Sequence, residues 1–245
     1  MLSAFDALFR ICIFIALYTY IGYPLLLRVL VWIKDLWSRP QARLPEKNIQ
    51  PFPVSLIITA YNEADIIEEK IRNCLALNYP ADKIEYIFIT DGSTDGTQEI
   101  VARYPQIRLL HQPERKGKLA AMNRAVDHAL YPCLIFSDAN AFLNADSIIN
   151  MTRHYACKKT GGVAGEKKIL SDPAAGSVSR GEGLYWRYES ALKKLDAQLY
   201  SAIGAAGELF SIRKDLYKKL PEHTIIEDFV QSLYLCIDGY RVAYE

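Results

Sequence analysis

VSLIITAYNEADIIEEKIRNCLALNYPADKIEYIFITDGSTDGT, residues 54–97, decides the fold. VSLIIT (54–59) and IEYIFIT (84–90) have the length and the β-branched and aromatic content of strands, while 65–77 between them carries apolar residues at helical spacing. Outward from there the alternation continues: a helical pattern over 97–104, a strand over 107–111, a helix over 119–130 and the strand CLIFS at 133–137. Strand and helix in turn predict βαβ crossovers and a mostly parallel α/β sheet covered on both faces. Ligands of such sheets gather at the carboxyl ends of the strands. Three of those ends are polar: AYNE (60–63), DGSTDGT (91–97) and DAN (138–140).

Upstream, no residue from 11 to 27 is charged, and after Arg28 the apolar run resumes to Ile33. That is about enough helix to cross a ~30 Å hydrocarbon core. Gly22 and Pro24 are tolerated in a bilayer, Tyr18, Tyr20, Tyr23, Trp32 and Trp37 suit its interfaces, and Arg28 would snorkel. A cleaved signal peptide and a helix buried in a soluble core are the rivals. The stretch is long for a signal peptide, and no small-x-small cleavage site follows it. Lys34, Arg39, Arg43 and Lys47 flank its C-terminal side against Arg10 on the other, so the positive-inside rule places the remainder on the cytoplasmic side of a cell (inner) membrane. Pro40, Pro45 and Pro51 read as an extended linker over 38–52. The expected organisation is an anchor at 1–37, the linker, and one domain over 53–245.

The 29 basic and 28 acidic residues nearly cancel, which excludes the global field of a nucleic-acid binder. Any anionic ligand must be met locally. The five cysteines occur singly, with no CxxC pair, so zinc sites and disulfide frameworks are not expected; they read as small buried side chains in a reducing compartment.

Taken singly, the motifs leave alternatives open. DGSTDGT alone is a turn with a helix cap. Lys116-Gly117-Lys118 ahead of a helix suits a diphosphate but is also what a solvated lysine pair looks like. Asp138-Ala139-Asn140 could form an Asx turn, and Glu227-Asp228 could merely complement a helix N-terminus. The small residues of 202–214 let a sugar approach the backbone or let helices pack tightly.

In order, VSLIITAYNE, ITDGSTDGT, KGKLAAMNRA, SDAN, GELFSIRK and IIEDF resemble the inverting glycosyltransferases of family 2 type, which include bacterial cellulose, chitin, hyaluronan and poly-N-acetylglucosamine synthases. The resemblance covers roughly 53–245. It implies a GT-A fold, a Rossmann-like nucleotide-diphospho-sugar transferase sheet, with a nucleotide-binding half (53–142) and an acceptor-binding half (143–245). It implies a UDP-sugar donor held by Ala60, Tyr61, Glu63, Asp91, Lys116, Lys118 and Asp138. Mg²⁺ or Mn²⁺ would sit at Asp138 and Asn140, where the family normally presents two carboxylates; Asn140 removes one negative charge. Gly207, Glu208 and Glu227 would shape the end that takes a saccharide or polyprenyl-linked acceptor, and Asp228 would be the catalytic base. Polymerising members continue with a Gln-x-x-Arg-Trp element and further membrane helices, so the strand-like end at 243–245 is expected to mark a fragment. A catalytically weak, membrane-anchored nucleotide-sugar-binding subunit is the alternative that Asn140 suggests. A scaffold without a ligand would leave the polar strand ends unexplained.

Overall fold

A computed structural model describes residues 4–37, 51–168, 177–205 and 207–245. Most of the Pro-rich segment, 38–50, lies outside the described residues.

The apolar N-terminal stretch forms helix α1 (Ala4–Leu17), a π turn (Tyr18–Gly22) and helix α2 (Tyr23–Trp37). The 34 residues have a mean hydropathy of 1.7 in their most apolar window, none of it buried, and are long and apolar enough to cross a membrane. The helix is longer than the 11–33 read from the sequence, because Asp6 and Lys34 lie in its end turns, where charge is tolerated. The π turn has a local cause. Pro24 lacks the amide that would bond to the Tyr20 carbonyl, and the helix widens, with Tyr23 N–H bonding to Tyr18 O instead.

The sheet has seven strands in the order β3-β2-β1-β4-β6-β5-β7. They are β1 (Val54–Ala60), β2 (Ile84–Asp91), β3 (Ile107–Gln112), β4 (Cys133–Asp138), β5 (Thr160–Ala164), β6 (Leu209–Arg213) and β7 (Arg241–Tyr244). Only β6 runs against its neighbours β4 and β5. The expected mostly parallel α/β sheet is therefore present. Alternate side chains of β1 feed two cores: Val54, Leu56 and Ile58 pack with Ile67 and Ile71 of α3 (Ile67–Leu75), and Ile57 packs with Met122 and Ala125 of α5 (Lys118–His128). Each of these isoleucines is fully buried, contributing about 1.5–3 kcal/mol.

The remaining helices are α4 (Thr97–Val101), α6 (Ser147–Thr152), α7 (Ser177–Leu199) and α8 (Glu227–Ile237). Along one face of α2, Leu27 and Val31 are buried, the Tyr23 hydroxyl donates to Asp196 of α7 (2.9 Å), and Lys34 caps the α7 carbonyls of Gln198 and Leu199 (2.6 and 3.1 Å). The Tyr188 hydroxyl of α7 donates to the carbonyls of Thr19 and Tyr20 in the π turn (3.3 and 2.9 Å).

Residues 202–205 form a loop whose small residues pack against α8: the Gly204 amide donates to Ser232 Oγ (3.1 Å), and a Cβ on Gly204 would stand 3.5 Å from Phe229. One expectation needs correction. Of the five free cysteines only Cys74 and Cys133 are buried; Cys12, on α1 where no residue is buried, and Cys157, at the end of a 3-10 turn (Arg153–Ala156), are exposed, and Cys236 is half-buried.

Candidate active site

Parallel register sets three strand ends level: Ala60 pairs with Thr90, and Thr59 with Asp138. An open cleft of about 300 Å³ lies on them, lined by Tyr61, Glu63, Asp91, Arg115, Lys118 and Asn140 along with Ala60 and Asp138.

Its walls are fixed by loop-to-loop bonds. Asn62 takes a left-handed conformation (φ 53°), which asparagine tolerates, and its side-chain oxygen accepts from Thr94 N–H (2.9 Å). Glu63 N–H donates to Thr97 Oγ1 (2.9 Å) and Ala64 N–H to Asp95 Oδ2 (2.9 Å). Gly92 (φ 72°) is required twice over, for its backbone and because a Cβ there would lie 2.8 Å from Arg115 N and Cβ.

Asp91 is buried. Its Oδ2 accepts the amides of Lys116 (2.8 Å) and Gly117 (2.6 Å), whereas Oδ1 is buried with no hydrogen-bond partner, Arg124 standing 3.7 Å away. A buried acceptor without a donor is costly, and the Arg124 guanidinium beside it offsets part of that cost. Arg115 stacks over the Tyr61 ring at 3.8 Å. Burial pushes the Glu63 carboxyl up, aided by the charges of Asp138 and Asp95.

Lys118, at the start of α5, bridges the end of β4 and the start of α8. Its Nζ lies 2.8 Å from Asp138 Oδ1 and 3.2 Å from Glu227 Oε1. Burial lowers its pKa, but these two carboxylates outweigh it and the net shift is upward. Behind it a tight inner recess is lined by Gly207, Glu227 and Asp228. A Cβ on Gly207 would stand 3.6 Å from Asp228 Oδ2 and 3.7 Å from Lys118 Nζ, so the glycine keeps that space open. Burial raises the Asp228 pKa; the Phe229 amide opposes this and the Glu227 charge adds to it.

Two expected contributors stand apart from the cleft. Lys116 supplies its amide to Asp91, and its exposed side chain does not line the cleft. Glu208 pairs with Lys167, which holds its carboxyl low despite burial, and its carbonyl meets Asp138 N–H at 3.4 Å. Arg115 and the Lys118 bridge were not foreseen; adjacency to the KGK run was the one available signal for Arg115.

The sequence model of glycosyl transferase family 2 matches residues 55–220. The chain belongs to this family. Poly-β-1,6-N-acetyl-D-glucosamine synthase of Staphylococcus aureus (strain MSSA476) is 27% identical over 215 residues, spanning 82% of this chain and 50% of that protein. The Staphylococcus epidermidis synthase is 25% identical over 201 residues, 78% of this chain and 48% of that protein. The chain thus spans about half the length of the curated relatives it matches. Among solved structures, the mannosyltransferase PcManGT from Pyrobaculum calidifontis, in complex with GDP-Man and Mn²⁺, is 27% identical with a TM-score of 0.71, covering 94% of this chain and 65% of that one. S. aureus TarS 1–349 in complex with UDP-GlcNAc shares the fold at 17% identity, with a TM-score of 0.58 over 79% of this chain and 56% of that one. The fold of this family 2 member is GT-A.

The cleft also fits a divalent cation of the kind family 2 implies. Asp138 and Asn140 offer hard oxygen donors on one wall, as Mg²⁺ or Mn²⁺ requires. Among the described residues no cluster of three His, Cys, Asp or Glu side chains could hold a metal alone, so ligands from outside the protein would have to complete the shell.

Proposed function

We propose that this chain is the catalytic part of an inverting glycosyltransferase. It moves a sugar from a UDP-sugar to a saccharide or polyprenyl-linked acceptor at the cytoplasmic face of the cell membrane, in exopolysaccharide or cell-envelope glycan synthesis. The observation that carries this is Lys118, whose ammonium links Asp138 on the donor side to Glu227, next to Asp228, on the acceptor side.

In this reading Asp91 Oδ1 accepts the imide N–H of uracil, and Tyr61 and Glu63 flank base and ribose. Asp138 and Asn140 hold Mg²⁺ or Mn²⁺, which supplies charge neutralisation at the diphosphate when bound. Lys118 adds a cation where negative charge develops on the leaving group. Asp228 takes the proton of the acceptor hydroxyl as that oxygen attacks the anomeric carbon from the face opposite the diphosphate, and configuration inverts. The raised Asp228 pKa makes its carboxylate a stronger base than an ordinary aspartate. The division into a 1–37 anchor, a 38–52 linker and the two halves of 53–245 belongs to the same proposal. It is supported by the apolar helix and by the residues meeting at Lys118. PcManGT bound to Mn²⁺ and the poly-N-acetylglucosamine synthases support the metal and the class of product.

Asn140 tests the metal site. Asn140→Asp restores a second carboxylate, so the half-saturating Mn²⁺ concentration for transfer should fall. Titrating transfer against metal at saturating donor checks this. An unchanged curve from an active variant would remove Asn140 from the metal site, and a variant as inactive as wild type would favour a binding subunit.

A further inference from the structure

The buried face of α3 carries Ile67, Ile71, Cys74 and, among them, Lys70. Lys70 is fully buried, and among the described residues it forms no ion pair. Taking an ammonium out of water without a carboxylate costs several kcal/mol, and an apolar chain of similar volume would fill the position more cheaply. A charge kept under that penalty marks a position where placement matters more than stability.

Its hydrogen bonds show what is placed. Nζ donates to Ser137 Oγ (2.9 Å) and to the Ala141 carbonyl. These two groups bracket the turn that carries Asp138 and Asn140, which is closed by Ala141 N–H to Asp138 O (3.2 Å). One turn further along α3, Asn73 grips the following segment reciprocally, donating to Leu143 O and accepting from Leu143 N–H, both at 2.8 Å. Lys70 is thus the clamp nearest the cleft; burial lowers its pKa, and the attractions of Cys74 and Asp138 oppose this only in part.

We propose that Lys70 is a positioning residue for the donor site: its ammonium, tied to Ser137 Oγ and Ala141 O, holds the 138–141 turn so that Asp138 and Asn140 face the diphosphate and its cation. The proposal rests on the donor-site reading above. Groups that orient metal-binding side chains typically change metal affinity or activity by about 10–100-fold when removed.

The test measures binding. Lys70→Met keeps the volume and removes the donors; Ser137→Ala removes one acceptor together with a long Ser137 Oγ–H to Asp138 O bond (3.4 Å); Asn73→Ala loosens the same segment away from the cleft. UDP binding is measured by calorimetry with and without Mn²⁺, alongside thermal unfolding. The expected result for Lys70→Met is a folded protein whose metal-free UDP affinity stays within about threefold, while the Mn²⁺-dependent gain in affinity falls about 10–100-fold. Ser137→Ala should shift in the same direction by less, and Asn73→Ala should lower the melting temperature without touching the metal dependence. If Lys70→Met does not fold, Ser137→Ala decides alone. A folded Lys70→Met or Ser137→Ala protein with wild-type metal dependence would overturn the proposal, as would an equal loss in all three variants. Wild-type protein that binds no UDP even with Mn²⁺ would instead overturn the donor-site reading, and this proposal with it.

Discussion

Asp228→Asn should lower transfer by about 10²–10⁴-fold, the usual contribution of a positioned general base, while UDP affinity stays within about threefold. The substitution keeps the shape of the side chain in the narrow recess beside Gly207 and Lys118, so binding of a nucleotide proposed to occupy the open cleft should change little. What is lost is a group that acts mainly in the transition state. UDP release and UDP calorimetry on both proteins check the two halves. Transfer at near wild-type rate would remove Asp228 from the mechanism. The pH dependence follows from the same carboxylate. Burial raises its pKa, so the active, ionised form is lost as pH falls through a value above the ordinary carboxylate range. Glu227→Gln removes a neighbouring charge that pushes the pKa upward, so the acid limb should move to lower pH. A limb that stays in place would mean that another group controls it.

Asp91→Ala should weaken UDP binding by about 1–3 kcal/mol, the cost of a charge-assisted hydrogen bond in a buried site. Two losses combine here. Oδ1, which accepts no hydrogen bond within the protein, can no longer receive an N–H, and the Lys116 and Gly117 amides lose the oxygen that anchors the loop ahead of α5. At saturating donor the rate should recover most of its wild-type value, because the proposed chemistry is carried by Lys118 and Asp228 and not by Asp91. An unchanged dissociation constant would reduce the DGSTDGT segment to a turn.

The first half of the domain was legible because β1, β2 and β4 are buried on both faces. Their sequences are therefore continuous apolar runs that end abruptly in polar residues. The second half was less so. β5 is TGGVA, whose two glycines weaken any strand pattern, and β6 follows a loop of small residues that reads equally as helix contact. The Lys118 bridge joins residues far apart in the chain, and no local pattern announces such a pair. Arg115 was hidden because an arginine in a basic loop is ordinarily solvated. Lys70 was hidden because a lysine on an amphipathic helix ordinarily snorkels to water.

The anomeric configuration of the product tests the central claim most directly. Membranes carrying the protein would be supplied with Mn²⁺ and a panel of α-linked UDP-sugars, and the new glycosidic bond followed by proton NMR as it forms. Direct displacement with Asp228 as base predicts a β-linked product, released together with UDP and absent with Asp228→Asn. An α-linked product, or transfer that survives the loss of Asp228, would contradict the account.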